Sequence, residues 1–157
     1  MILHQDDVFV PRWVASRIPH MRDEKGEVLP FPAPCVGIAV LDARGAVLGG
    51  VVYHNFYPHL RSIEMSAAAA TKRWLTRDVL RHIFEYPFEQ LRVQRVTMIT
   101  GRKNEQARQL LRGLGFRQEG CVRRGLRNQD AIIYGMLAGE WKRSKFSQER
   151  GAGRLAA

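Results

Sequence analysis

The chain has 157 residues, 45% of them hydrophobic and 25% charged, with 25 Lys+Arg against 15 Asp+Glu and a formal net charge of +10. One domain suits that length, and the apolar fraction excludes wholesale disorder. The charge points to an anionic partner, and no apolar run approaches the ~18 residues that span a bilayer, so no membrane contact is expected.

The opening Met1-Ile-Leu-His-Gln-Asp-Asp has neither a basic n-region nor an apolar h-region, which predicts no signal peptide and a cytoplasmic protein. Residues 7–20 place Val8, Trp13, Val14 and Ile18 at helical spacing, a short amphipathic helix. Residues 22–34, rich in charge and proline, read as a loop. Cys35 to Leu41, a turn at Asp42-Ala-Arg-Gly and Ala46 to Tyr53 form a hairpin. Leu60 to Ala67 is a third strand, because Ile63 and Met65 alternate with Ser62, Glu64 and Ser66.

From there the period changes. Thr76 to Gln90 sets Val79, Leu80, Ile83, Phe84 and Phe88 along one helical side, with Thr76 as N-cap and Pro87 ending or kinking the helix. Val93 to Thr100 is a buried strand. Asn104 to Arg112 is a helix capped by Asn104, with Gly113 near its end. Phe116 to Gly125 and Asp130 to Leu137 pair through a turn near Arg127. The fold class is therefore α/β: a mixed, mostly antiparallel sheet with helices on both faces. Residues 1–141 form the domain, and the basic segment 142–157 is expected to be a flexible tail.

The charge is uneven. Residues 91–127 hold 10 basic and 2 acidic side chains, a net of +8. Cys35 and Cys121 have no paired spacing, so two buried reduced thiols and no metal are expected.

Three segments carry a family resemblance. They are Val79-Leu-Arg-His-Ile-Phe-Glu-Tyr-Pro-Phe-Glu-Gln-Leu with Arg95-Val; Asn104-x-x-Ala107-x-x-Leu110-Leu-x-x-x-Gly115-Phe116 leading to Glu119-Gly120 and Arg123; and Asp130-x-x-x-Tyr134 closing at Glu140-Trp141. In order and spacing they resemble the GNAT superfamily of acetyl-CoA-dependent N-acetyltransferases, nearest the branch that acetylates ribosomal-protein N-termini. The short N-terminal half suits a phage or prophage member.

That resemblance implies a cofactor and a site. Acetyl-CoA would lay its pyrophosphate on Thr71-Lys-Arg-Trp-Leu-Thr76, which puts Lys72, Arg73, Trp74, Leu75, Thr76 and Arg77 at the cofactor. The family motif has glycine or alanine where Trp74 and Thr76 stand; the nearby cations supply charge instead. Asn104 and Arg108 would meet the CoA arm. Met65, Ser66 and Ala67 would offer backbone to the pantetheine, with Glu64 as general base. The family's acid tyrosine is replaced by Leu111, leaving Tyr134 as a substitute, and His54 and His59 flank the expected acceptor side. The acceptor is an amine, on a protein or a small molecule, attacked within a ternary complex; the enzyme is a monomer or homodimer. Arg117, Arg123, Arg124, Arg127 and the tail are left for an acidic partner. Two rival readings remain: a basic nucleic-acid- or ribosome-binding module, and a degenerate CoA-binding GNAT without turnover.

Overall fold

The computed structural model describes residues 1–148. Among these, seven strands form one mixed sheet: β1 (Ile2–Asp6), β2 (Val36–Leu41), β3 (Val47–Tyr57), β4 (Ser62–Ala69), β5 (Arg95–Gly101), β6 (Arg117–Leu126) and β7 (Gln129–Leu137), in the spatial order β1-β2-β3-β4-β5-β7-β6. Every pair is antiparallel except β4 with β5. The helices are α1 (Phe9–Ala15), α2 (Arg77–Glu85), α3 (Glu105–Leu114) and α4 (Ala138–Arg143).

Both faces of the sheet are covered, as the α/β reading expects. Val10, Val14 and Ala15 of α1 pack with Phe31, Ala39 and Val52 on one face. Val79, Leu80, Ile83 and Phe84 of α2 join Leu111 of α3 and Trp141 of α4 over Ile63, Met65, Val96 and Tyr134 on the other. The alternation in β4 decides this split: Ile63 and Met65 are buried against α2, and Glu64 and Ser66 point the opposite way.

Two helix ends show how local chemistry sets the elements. Thr76 Oγ1 accepts the Val79 N–H at 3.2 Å, so the expected N-cap is present. Pro87 then stops the α-helix by removing the N–H that the Ile83 carbonyl would accept. The buried Tyr53 hydroxyl donates to that carbonyl instead, at 2.5 Å. A single π-helical turn, Tyr86–Gln90, follows, closed by Leu91 N–H to the Tyr86 carbonyl at 3.0 Å.

Several expectations need correction. β1 was not expected: Ile2–Asp6 has no alternating pattern, is largely exposed, and is held by pairing to β2 from Ile2↔Leu41 to Asp6↔Gly37. The first helix covers seven residues rather than fourteen. Gly115, at φ +100°, ends α3 in place of Gly113, since a left-handed C-cap suits glycine. The thiols are free, but Cys121 is exposed and Cys35 half-buried, so neither is a core thiol. Lys142 and Arg143 close α4, and Phe146 packs against the core beside Trp141, so residues 142–148 lie on the domain; the rest of the expected tail is outside the described residues. Among the described residues, no helix is long and apolar enough to cross a membrane.

Candidate functional site

The parallel pairing of β4 and β5 is brief: Ser62↔Arg95, Ile63↔Val96 and Glu64↔Thr97. Beyond Glu64, β4 continues on β3 as far as Gly49↔Ala69, and β5 continues on β7 as far as Gly101↔Ala131. The two strands therefore part into a wedge, and backbone groups of Met65–Ala69 that turn away from β3 have no ladder partner in the sheet. Such groups are strong hydrogen-bonding sites for an extended ligand. Both strands run toward helix starts: β4 through residues 70–76 into α2, and β5 through Arg102-Lys103-Asn104 into α3. Two positive helix ends thus stand at the open end of the wedge.

The basic residues at those ends differ. Among the described residues, Lys72, Arg73 and Arg77 are exposed and have no carboxylate within ion-pair distance. At α3 the charges are engaged. Arg102 pairs with Asp130 at 3.2 Å and donates to Cys121 Sγ at 3.4 Å. Arg108 donates to the Tyr134 hydroxyl, the Arg102 carbonyl and Glu105 at 3.1–3.2 Å. Asn104 Oδ1 caps the Ala107 N–H at 3.1 Å.

On the face opposite α2, β3 and β4 bring a polar cluster together. His54 sits across from Glu64 in register. Its Nε2 lies 2.9 Å from Ser66 Oγ, and its Nδ1 lies 3.7 Å from Glu64 Oε2. Asn55 Nδ2 donates to the same Glu64 oxygen at 3.1 Å, and Phe31 covers the imidazole at 4.9 Å between ring centroids. His54 is 8% exposed. Burial pushes its pKa below the ordinary 6.5, and the Glu64 charge pulls part of the way back.

No protein-family model matches the chain. A curated relative, described as "Putative ribosomal N-acetyltransferase YdaF" of Bacillus subtilis (strain 168), is 28% identical over 108 residues, 64% of this chain and 59% of that protein. The match therefore spans less than two thirds of that relative's length. Among solved structures, a Vibrio cholerae spermidine N-acetyltransferase SpeG mutant aligns at TM-score 0.63 with 21% identity, over 69% of each chain. A structure described as "Probable acetyltransferase" aligns at TM-score 0.61 with 26% identity, over 69% of this chain and 64% of that one. The chain has the GNAT fold. The splayed β4–β5 pair and the helix that follows β4 are therefore GNAT elements here, as the motif resemblance implies.

Placed on this GNAT framework, the expected site residues fall into three groups. Glu64, Ser66 and His54 are brought together. Met65 and Ala67 border the wedge through their backbone and bury or half-bury their side chains on the α2 side. Lys72, Arg73, Thr76 and Arg77 cluster at the start of α2.

The remainder are spent on structure. The Trp74 indole is buried over Gly49 of β3, where any Cβ would collide with it, and Leu75 packs beside it on the core. This explains the missing loop glycine: Trp74 docks the loop, and Gly49 supplies the room. Tyr134 is fully buried on the α2 face with its hydroxyl held by Arg108, on the other side of the sheet from His54. It is not in reach of the His54 cluster. Arg108 is committed to internal partners. His59 is exposed, beside Tyr57 rather than the cluster. Sequence reasoning missed Asn55 and Phe31; no motif flags them, because they matter through β3–β4 register and loop packing. Among the described residues, no group of three His, Cys, Asp or Glu side chains is arranged to hold a metal.

Proposed function

We propose that this chain is an acetyl-CoA-dependent N-acetyltransferase that moves an acetyl group to a primary amine within a ternary complex. The wedge between β4 and β5 carries the reading: an open parallel pair with a basic helix start on one side and, on the other, a buried imidazole joined by a half-buried carboxylate and hydroxyl. Pantetheine would pair with the backbone of Met65–Ala69 as an added strand. The phosphates would meet the start of α2, with Lys72, Arg73 and Arg77 supplying charge.

The chemistry asked of the residues is modest. The amine nitrogen attacks the thioester carbon, the C–N bond forms, and the C–S bond breaks to release a thiolate. The amine must lose a proton, and Glu64 with the groups it contacts forms the site that takes it. A thiolate leaves without strong acid assistance, so the burial of Tyr134 is tolerated.

The acceptor we favour is a protein amino terminus in an acidic context. Arg123, Arg124 and Arg127 are exposed on and after β6, an edge strand with one side unpaired. Such a surface attracts acidic chains and repels polycations. Thiol release from acetyl-CoA, followed with an acidic peptide bearing a free amino terminus, tests this. Release that depends on the peptide and exceeds that with spermidine is expected. No release with any amine would reject the enzyme reading. Steeply salt-dependent binding to a random duplex without turnover would favour the nucleic-acid module instead.

A further inference from the structure

His54 is buried, yet its Nδ1 is the one buried side-chain polar atom without a hydrogen-bond partner among the described residues. Such an orphan costs stability unless another state uses it.

Its surroundings fix its protonation. The groups that face the ring are Glu64 and Ser66 on β4, Asn55 on its own strand and Phe31 from the loop before β2; Glu64 is the charged one. A carboxylate 3.7 Å from Nδ1 favours the tautomer with its hydrogen on Nδ1. Nε2 then carries a lone pair and accepts the Ser66 hydroxyl at 2.9 Å. Ser66 stands two residues past Glu64, where β4 has already left β5 and the wedge is open.

We infer that Ser66 and His54 form a proton relay for the acceptor amine, with Glu64 as the carboxylate that orients and stabilises the imidazole. This rests on the acetyltransferase reading above. The acceptor ammonium gives a proton to Ser66 Oγ as Ser66 gives its own to His54 Nε2. The neutral amine attacks the thioester; as the tetrahedral adduct collapses and the C–S bond breaks, its nitrogen gives a second proton to the departing thiolate, and the imidazolium, facing Glu64, releases the first proton to water. Charge and atoms balance without a further reactant. The 3.7 Å separation between Glu64 and Nδ1 shortens when the ring becomes cationic. In this scheme Ser66 touches substrate, and His54 and Glu64 act through it.

The test has two arms on the full chain. Nitrogen NMR of the imidazole reads the tautomer without any acceptor: the Nδ1–H form is expected, and a dominant Nε2–H form overturns the relay. The second arm follows kcat against pH with acetyl-CoA and the acidic peptide. Wild type is expected to lose activity below the ordinary histidine range. His54→Gln removes that limb and lowers kcat about 100-fold, in the range of general acid–base effects. Glu64→Gln keeps a limb but moves it to lower pH, because the charge that raised His54 is gone. Ser66→Ala lowers kcat at least ~10-fold and Ser66→Thr restores it, with acetyl-CoA affinity kept in both. Failure of wild type to turn over with any amine rejects the parent reading. Turnover that Ser66→Ala and His54→Gln leave unaltered in rate and pH limb rejects the relay alone, as does a stable acetyl group found on Ser66.

Discussion

Two helix starts flank the open end of the wedge, and they use similar charge for different purposes. At α3, Arg102 and Arg108 are tied to Asp130, Glu105 and the Tyr134 hydroxyl, and Asn104 is occupied as a cap. At α2, Lys72 and Arg73 project from a loop anchored by the buried Trp74 indole, and Arg77 projects from the first turn of the helix. Sequence alone does not distinguish these five cations as counter-charge for a phosphorylated cofactor. Their partners separate them: the α3 set holds the β5–α3–β7 corner together, and the α2 set has no carboxylate partner among the described residues. Trp74 is the pivot of this contrast, since it trades the close backbone approach that glycine allows for a rigidly docked loop.

The largest expected effect is at that pivot. Trp74→Ala removes a buried indole over Gly49 and should destabilise the fold by about 3–5 kcal/mol, measured by denaturant melting. It should also abolish acetyl-CoA binding, because the loop is released. A stable variant with intact binding would break the contrast. Next, Lys72→Ala, Arg73→Ala and Arg77→Ala combined should weaken acetyl-CoA by about 2 kcal/mol, roughly 30-fold, with the melting temperature unchanged. Arg102→Ala with Arg108→Ala should do the reverse, lowering stability and changing affinity little. Equal loss of affinity from both sets would erase the distinction.

A smaller effect tests the far end of α2. Tyr53→Phe leaves the Ile83 carbonyl without the donor that replaces the missing Pro87 N–H, and should cost about 1–2 kcal/mol with no change in cofactor affinity. The smallest is a pH effect. His54 has a folded pKa below its unfolded value, so below 6.5 the unfolded chain binds more protons and stability falls as pH drops toward the folded pKa. His54→Gln should flatten part of that decline in pH-dependent melts; an unchanged slope would mean that His54 is not held neutral.

Much of this was legible in the sequence for physical reasons. The Ile63/Met65 alternation, the Thr76 and Asn104 caps and the apolar stripe of α2 are local signals, and each appears in the structure. β1 was hidden because an edge strand is held by backbone pairing and needs no apolar pattern. The π-helical turn was hidden because Pro87 announces a break but not the Tyr53 hydroxyl, 34 residues upstream, that makes the break tolerable. Glu64 was legible from motif position. Its partners were not, since the contact with His54 depends on β3–β4 register and the cover by Phe31 on how a proline-rich loop packs. The two roles of the cations could not be separated at all without knowing which carboxylates stand beside them.

The wedge and the start of α2 are proposed to bind acetyl-CoA. Isothermal titration of the full chain with acetyl-CoA tests it most directly. A saturable, one-site heat that weakens with added salt and with the triple change at Lys72, Arg73 and Arg77 is predicted. A folded protein that gives no heat up to millimolar cofactor, where affinity has fallen to only ~4 kcal/mol, would contradict it.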